Sequence, residues 1–296
     1  MTRVKLIHNA GAGDENHSEK KIISMIESKG FTCDYTPVKS SDWDISPETD
    51  FIVVAGGDGT VKKTAQKLLN RPLIDKSLPI AILPLGTANN LFRSLKIGDD
   101  IGLIIESWMR PKVQKFDIGR VYGLEKHHFF LEALGYGVFP HLINKMKKVD
   151  QKLSDDPENR IQTALETLLE AIHAYNTHFS HIVIDGKDYS GNYLMVEIMN
   201  IPSIGPNLLL APEADSEDGF FDIILIEESQ RDLLASYVES KLNGKEIPLG
   251  VSPVKGNQIY IKWQGTDGHI DDKTIHNKEH HELKINNHTG VLEFLR

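Results

Sequence analysis

Three short glycine-bearing segments have the composition and position of loops that bind phosphate. Gly56-Gly57-Asp58-Gly59-Thr60 stands between an apolar run and a helical pattern, and Asn9-Ala10-Gly11-Ala12-Gly13 and Pro84-Leu85-Gly86-Thr87-Ala88-Asn89-Asn90 stand in similar places. Glycines let backbone amides approach an anion without an intervening side chain, and a following helix adds N–H groups and the positive end of its dipole. Together the segments predict a site for a phosphate-bearing ligand. Its polar contacts would be Asn9, Thr60, Thr87 and Asn89.

The segment that ends at Thr60 carries two further polar groups. Thr60 adds a hydroxyl donor, and Asp58 can orient a metal-bound water or a ribose hydroxyl. The alternative is a tight strand-to-helix turn whose glycines serve backbone geometry alone. The segment is not the usual P-loop, because no Gly-Lys-Ser/Thr follows, and it does not match G-x-G-x-x-G.

A parallel sheet would bring the three segments together. The first hundred residues repeat a cycle of short apolar run, glycine-bearing turn and helical pattern, which is typical of strands joined by crossover helices. Ligands collect at the carboxyl ends of such strands, where the three segments lie. We predict strands over residues 4–7, 31–36, 50–55 and 79–83. We predict helices over residues 18–28, 61–69 and 101–109, and a short one that ends at 95.

The pattern changes after about residue 115, where strands become longer, alternate more and are joined by hairpin-type turns. This indicates an α/β domain over residues 1–115 and a mostly antiparallel domain over 116–296, and it leaves open a return of the last strand to the first domain. Asp185-Gly186-Lys187 predicts a hairpin turn between residues 181–184 and 192–199. One long helix is predicted from about 160 to 175, after the acidic stretch 155–158.

The amino-acid composition of the chain limits the classes of partner that it can bind. The net charge of −9 over 296 residues argues against a nucleic-acid partner and against broad binding to anionic membranes, because both require a cationic face. Apolar runs fall far short of the roughly 20 residues that span a bilayer, so any membrane contact would be peripheral. The amino terminus does not match a secretory signal, and the single cysteine gives no sign of an oxidising compartment. We expect a cytoplasmic protein, and the sequence leaves open a homodimer.

The three segments, in this order and at these spacings, resemble the diacylglycerol kinase catalytic-domain family, which includes bacterial lipid kinases and sphingosine kinases. Residues 211–219 look like the family's P-x-A-x-x-x-D-G segment, and residues 130–137 are similar to its G-x-G strand. The resemblance implies a β-sandwich-like second domain. It also implies transfer of the γ-phosphate of ATP to a lipid hydroxyl such as that of diacylglycerol, with Mg²⁺.

The resemblance also implies particular site residues. Asp215 and Asp218 would hold Mg²⁺ with the Phe220 carbonyl, although a polar turn before a strand explains these aspartates equally well. The nucleotide contacts implied are Asn9, Thr36, Gly56, Gly57, Asp58, Gly59, Thr60, Thr87 and Asn89.

A carboxylate base is implied near the C-terminus, where the family has Asp-Gly-Glu. The matching residues are Asp271-Asp272-Lys273, so the aspartate is kept and a lysine replaces the glutamate. A lysine cannot act as a carboxylate base at neutral pH. Asp267-Gly268-His269 is the alternative counterpart if the alignment shifts. We prefer Asp271, and we predict catalytic roles for Asp271 and Asp58.

Several departures from the family pattern leave alternatives open. Lys62-Lys63 replaces an Asn-Glu pair, Asn90 replaces an aspartate, and Phe139 stands where an aspartate usually follows the G-x-G strand. These changes suggest diverged substrate choice or metal use, or a nucleotide- or lipid-binding protein without catalysis. An NAD kinase is a further alternative, which residues 84–90 and 211–219 disfavour.

Overall fold

The computed structural model of the chain describes residues 1–11, 18–40, 43–72, 75–125, 128–149, 157–276 and 281–296. These residues form two compact units, Met1–Phe116 with Gly290–Arg296, and Asp117–Thr289. Residues 12 and 13 of the first predicted loop and the acidic residues 155 and 156 lie outside the described residues. Within the described ranges, no helix combines the length and the apolar character needed to cross a membrane.

The first unit contains a parallel sheet, and the predicted α/β architecture is confirmed. Its strands are β1 (Arg3–His8), β2 (Thr32–Pro37), β3 (Phe51–Gly56) and β4 (Ile80–Pro84). They lie in the order β2-β1-β3-β4, and Phe294 near the end of the chain pairs in parallel with Ile80 of β4. The helices are α1 (Glu19–Ser28), α2 (Asp58–Leu69), α3 (Asn90–Ser94) and α4 (Ile101–Ser107).

Burial on both faces explains the apolar strands of this sheet. All six residues of β3 are buried, which is typical of a central parallel strand covered by helices. On one helix, α1, the buried residues are Ile22 and Ile26, four positions apart on a single face. Gly30, with φ of +88°, lets the chain turn from α1 into β2.

The predicted start of the second helix is wrong. α2 begins at Asp58 rather than at residue 61, so the last three residues of the Gly-Gly-Asp-Gly-Thr segment form its first turn. The N–H groups of Thr60 and Val61 both donate to the Gly57 carbonyl, at 2.8 and 3.2 Å. An aspartate in the first turn is favoured by the helix dipole.

The second unit is mostly antiparallel, as predicted. Its strands are β5 (Val113–Tyr122), β6 (His128–Phe130), β7 (Ala133–Gly137), β8 (His178–Ile184), β9 (Lys187–Asp188), β10 (Gly191–Met199), β11 (Ser203–Ile204), β12 (Leu208–Leu209), β13 (Phe221–Glu227), β14 (Val254–Gly256), β15 (Gln258–Trp263), β16 (Asp267–Ile270), β17 (Lys273–His276) and β18 (His281–Leu295). The main strands follow the order β17-β16-β7-β10-β8-β15-β18, while β13 pairs with β10 and β14 pairs with β13. β5 begins and β18 ends in the first unit.

The predicted hairpin turn is present, since Asp185 and Gly186 have positive φ and β8 pairs with β9 across them. The predicted helix over about 160–175 is confirmed, but it is not the single long helix of this domain. Three helices of ten residues or more occur in the described part of the unit: α5 (Val138–Val149), α6 (Pro157–Ala174) and α7 (Arg231–Leu242). They pack with β10 and β13 in one apolar core.

One of the missed helices, α5, does carry a helical signal. Phe139, Leu142, Ile143 and Met146 recur at the spacing of one helix face, and all four belong to the core or pack against it. Three lysines and the absence of a loop after β7 conceal this pattern. Pro140 fits because it lies in the first turn of α5, where its missing N–H is not needed.

Candidate functional site

Two glycines bring the loops after β3 and β4 into backbone contact. A Cβ added to Gly86 would lie 2.5 Å from the Cα of Gly57, and one added to Gly57 would lie 3.0 Å from the Cα of Gly86. No side chain fits at Gly86 unless the backbone moves. The two loops therefore meet through their backbones, with no side chain between them, at the carboxyl edge of the sheet and beside the N-terminus of α2.

Asp58 joins the same two loops through its side chain. Its Oδ2 accepts a hydrogen bond from the Asn90 N–H at 2.9 Å, and its Oδ1 accepts one from the Leu91 N–H at 3.1 Å. These are first-turn N–H groups of α3, which have no partner inside that helix. Asp58 thus fixes the start of α3 against the start of α2, and these contacts give it a positioning role.

Asn89 closes the loop after β4. Its φ of 52° places it in the left-handed region, and its Oδ1 accepts from the Gly86 N–H at 3.0 Å while Nδ2 donates to the Gly86 carbonyl at 2.8 Å. The polar atoms of Asn89 therefore hold their own loop in shape. Thr87, at the exposed tip of that loop, is the polar side chain open to a ligand.

The first loop meets the second at Gly56. A Cβ added there would lie 2.6 Å from Oγ1 of Thr60 and 3.3 Å from the Cβ of Asn9. The Asn9 N–H donates to the Ala55 carbonyl at 2.9 Å, which holds the start of the first loop beside β3. Thr36 is buried near the end of β2, opposite Ile7 of β1. The structure thus brings Asn9, Gly56 and Thr60 together, and Thr36 lies one strand away.

The predicted metal ligands form a turn with its own internal partners. Oδ1 of Asp215 accepts from the Glu217 N–H at 3.0 Å, and Oδ1 of Asp218 accepts from the Phe220 N–H at 2.9 Å. Oδ2 of Asp218 lies 2.7 Å from the ammonium group of Lys255. In the ranges that the structure describes, no three His, Cys, Asp or Glu side chains gather closely enough to hold a metal ion.

This donor set does not fit a divalent ion. A Mg²⁺ ion requires about six oxygen ligands, whereas a lysine cation already faces one of the two carboxylates here. Asp117 holds the turn from the other side, because its Oδ2 accepts from the Gly219 N–H at 2.9 Å and its N–H donates to Ser216 at 2.7 Å. The geometry is that of a polar turn before β13.

Asp271 lies in the turn between β16 and β17, buried and with φ of 51°. Its Oδ1 accepts from the N–H groups of Glu132 at 2.9 Å and of Leu131 and Ala133 at 3.2 Å. The alternative carboxylate, Asp267, lies at the opposite end of β16, where it accepts from the Tyr175 hydroxyl at 3.0 Å. The two carboxylates therefore have different surroundings.

The sequence did not predict the residues that connect the turn containing Asp215 and Asp218, the acidic turn, with the loop at residue 131. Asn200 donates from Nδ2 to the carbonyls of Asp117 and Leu131, at 2.9 Å each. Asp117 holds the acidic turn, and the Leu131 N–H donates to Asp271. The available signal was a buried asparagine directly after an apolar strand, which requires partners for its amide.

Comparisons with known proteins identify both parts of the chain. A family described as "Diacylglycerol kinase catalytic domain" matches residues 3–121, and one described as "YegS C-terminal NAD kinase beta sandwich-like domain" matches residues 155–278. A protein named "Putative lipid kinase" from Staphylococcus aureus (strain MSSA476) is 25% identical over 81% of this chain and 75% of its own length. A second protein described as a putative lipid kinase, from Staphylococcus aureus (strain MRSA252), is 25% identical over 85% of this chain and 81% of its own length.

Solved structures share the fold. One, described as "Crystal structure of a putative diacylglycerol kinase from Bacillus anthracis str. Sterne", gives a TM-score of 0.73 at 20% identity, over 99% of this chain and 95% of that chain. A second structure, described as "A putative diacylglycerol kinase from Bacillus anthracis str. Sterne", gives a TM-score of 0.71 at 21% identity, over 99% of this chain and 96% of that chain. The predicted fold, with its β-sandwich-like second domain, is confirmed. The predicted resemblance to the diacylglycerol kinase catalytic-domain family is confirmed, because one family model matches residues 3–121 and a second, of the YegS C-terminal domain, matches residues 155–278.

Proposed function

We propose that the protein is an ATP-dependent lipid kinase that transfers the γ-phosphate of ATP to a lipid hydroxyl such as that of diacylglycerol. The main support is the contact between Gly57 and Gly86, where the backbones of two loops meet beside the N-terminus of α2 with no room for a side chain between them. Peptide N–H groups and a helix N-terminus stabilise the negative charge of a phosphate, and of a phosphoryl group in transfer.

The residues divide into those that touch the nucleotide and those that shape its site. Backbone groups of residues 56–60 and the side chains of Asn9, Thr60 and Thr87 would contact the phosphates. Asp58 and Asn89 would hold the loops, because their polar atoms bond to backbone groups there. The divalent ion would enter with ATP, and no step is assigned to Asp215, Asp218 or Phe220.

In the proposed reaction the acceptor oxygen bonds to the γ-phosphorus as the bond to ADP breaks, and Asp271 takes the hydroxyl proton. The choice of Asp271 as the base is supported by the fixed orientation of its carboxylate, which accepts hydrogen bonds from the N–H groups of residues 131–133. In this proposal the protein is cytoplasmic and binds peripherally to a membrane, where it contacts the lipid.

Phosphorylation of lipid vesicles tests the proposal. The full chain is incubated with Mg²⁺ and labelled ATP on vesicles that contain diacylglycerol, ceramide or another hydroxyl lipid, and labelled lipid is measured. We expect turnover that Asp271→Asn abolishes without changing ATP affinity. The matched control is Asp267→Asn, which alters the other candidate carboxylate and should retain turnover. Turnover that survives Asp271→Asn but not Asp267→Asn would transfer the base role to Asp267.

A nucleotide-binding protein without kinase activity is the second candidate. Two lysines favour it, Lys255 against Asp218 and Lys273 in place of the glutamate that follows the family's aspartate. This candidate predicts ATP binding in calorimetry without release of ADP on any lipid. Formation of NADP in the same mixture supplied with NAD would instead indicate an NAD kinase.

A further inference from the structure

A buried ion pair crosses a strand of the second unit at a glycine. Glu197 of β10 and His269 of β16 are both opposite Gly135 of β7, which runs between them. Their side chains meet above that strand, with 2.8 Å between Oε2 of Glu197 and Nε2 of His269. A Cβ on Gly135 would lie 2.1 Å from the Glu197 carboxylate. The contact therefore depends on glycine at position 135.

The pair holds its geometry whichever partner carries the shared proton. Nδ1 of His269 lies 2.7 Å from the backbone carbonyl of Asp271, so Nδ1 carries a proton and donates it there. Nε2 then either donates to a Glu197 carboxylate or accepts from a Glu197 carboxylic acid. Both arrangements contain the same number of protons and both keep the bond to Asp271.

Packing removes the pair from water. The side chain of Glu197 is fully buried and that of His269 is 1% exposed. Phe139 of α5 covers the imidazole edge to face, with ring centroids 5.0 Å apart. A buried polar pair has few alternative partners, so its hydrogen bonds fix the position of the main chain to which it bonds.

That main chain is the turn that carries the proposed base. Asp271 has positive φ, which a residue with a side chain adopts at a cost unless its surroundings hold it. Its carbonyl accepts from His269, its N–H donates to the Ala133 carbonyl at 2.8 Å, and its carboxylate accepts from N–H groups of residues 131–133. His269 thus holds one side of the turn and β7 holds the other.

We propose that Glu197 and His269 are positioning residues that hold the Asp271 turn, and with it the Asp271 carboxylate, in the geometry that catalysis uses. The catalytic part of this inference rests on the proposed kinase function, whereas the structural part does not. Neither residue touches substrate in this proposal, because both act through the backbone of Asp271.

Amide hydrogen exchange of the full chain measures how firmly the turn is held, and it needs no substrate. We expect His269→Gln to raise exchange at the amides of residues 131–133 by about tenfold or more, as expected when a charge-assisted hydrogen bond no longer fixes the acceptor. The matched control is Val196→Ala, which shortens a fully buried neighbour of Glu197 that points to the other face of β10. It should raise exchange evenly across the unit. Equal increases at residues 131–133 in both variants would overturn the proposal.

A second pair of variants leaves His269 in place, in case His269→Gln does not fold. In Glu197→Gln the new amide donates to Nε2, and Nδ1–H still reaches Asp271, so protection at residues 131–133 should remain. Glu197→Ala removes the bond and should lose that protection. If the two variants exchange alike at these amides, the hydrogen bond does not hold the turn and the proposal is wrong.

Kinetics tests the catalytic part. With lipid and ATP, Glu197→Ala should lower kcat by about tenfold or more and leave KM for ATP unchanged, while Glu197→Gln stays near wild type. An unchanged kcat in a variant whose turn has opened would overturn the link to catalysis. A wild-type protein that phosphorylates no lipid would refute the proposed function, and the exchange measurement would still decide the positioning role.

Discussion

Lys255 and Asp222 stand opposite each other on neighbouring strands, with 3.4 Å between Nζ and Oδ2, and the same ammonium lies 2.7 Å from Asp218. The Asp222 side chain is 4% exposed. Burial raises the pKa of this carboxyl, and the lysine opposes that effect. One lysine thus compensates two carboxylates at the turn where the family resemblance implies a metal ion.

A first prediction concerns that lysine. We expect Lys255→Met to reduce the free energy of unfolding by about 1–2 kcal/mol, because it leaves a buried carboxylate without its cation but solvent still reaches the site. Thermal denaturation measures this loss of stability, and a second series with Mg²⁺ tests for a metal site. The midpoint temperature of the wild type should not depend on Mg²⁺. Lys262→Met is the control, since it removes an exposed pair with Glu282 at 3.8 Å. A wild-type midpoint temperature that rises when Mg²⁺ is added, as expected of a metal-binding protein, would contradict the account.

A second prediction concerns Gly135. We expect Gly135→Ala to destabilise the protein by about 1–3 kcal/mol, because its Cβ overlaps the Glu197 carboxylate. The loss should be much smaller in a Glu197→Ala background, where the overlapping group is absent. Denaturant unfolding of the four proteins gives the coupling energy. Equal losses in both backgrounds would show that Glu197 is not the group that excludes a side chain at position 135.

A third prediction is a pH dependence of stability. Burial lowers the pKa of His269, but the Glu197 carboxylate and its hydrogen bond outweigh burial, so the pKa lies above its usual value. Burial also raises the pKa of Glu197, and the His269 cation only partly offsets it. The folded protein therefore holds more protons than the unfolded chain above the unfolded values, and stability falls as pH rises through that range.

This dependence is measured as a difference from a variant that lacks both groups. Relative to Glu197→Gln/His269→Gln, the free energy of unfolding of the wild type should decrease from roughly pH 6 to pH 9, the range above the ordinary pKa of a histidine. The Asp271 carboxylate, which also faces His269, is present in both proteins. A difference that stays constant or grows with pH would contradict the expected loss of stability.

A fourth prediction separates Asp58 from an ordinary helix cap. Asp58→Ala should cost about 1 kcal/mol, as loss of a cap does, and should also weaken ATP binding because α3 is no longer fixed to α2. The control is Asp100→Ala, which removes the cap on α4, where Oδ1 accepts from the Leu103 N–H at 2.8 Å. Calorimetry should find weaker ATP binding in the first variant alone. An equal loss of ATP affinity in both variants would show that Asp58→Ala acts through general destabilisation alone.

The sequence predicted best what depends on local pattern. β3 is an apolar run long enough to be buried on both faces, and Gly30 and Gly186 mark turns that require positive φ, so the parallel sheet and the hairpin followed. α5 was missed although it has the spacing of a helix, because its lysines and its start directly after β7 conceal that spacing.

The sequence could not predict which polar atoms meet. Asp58 and Asn89 have side chains suited to a ligand, but their atoms bond to nearby backbone groups, since buried donors and acceptors must find partners within the fold. The pair of Glu197 and His269 joins residues 72 positions apart. Nothing local in the sequence specifies such a pair, because it depends on strand order and on the register of both residues with Gly135.

ATP titration of Gly86→Ala against Gly98→Ala tests most directly the claim that bare backbone in two loops binds the nucleotide. A Cβ at position 86 meets the Cα of Gly57 at 2.5 Å, whereas a Cβ at position 98 meets nothing within 4 Å. The account predicts that Gly86→Ala weakens ATP binding by about tenfold or more, the effect of about 1.4 kcal/mol, and that Gly98→Ala matches wild type. ATP binding that is equal in all three proteins would contradict it.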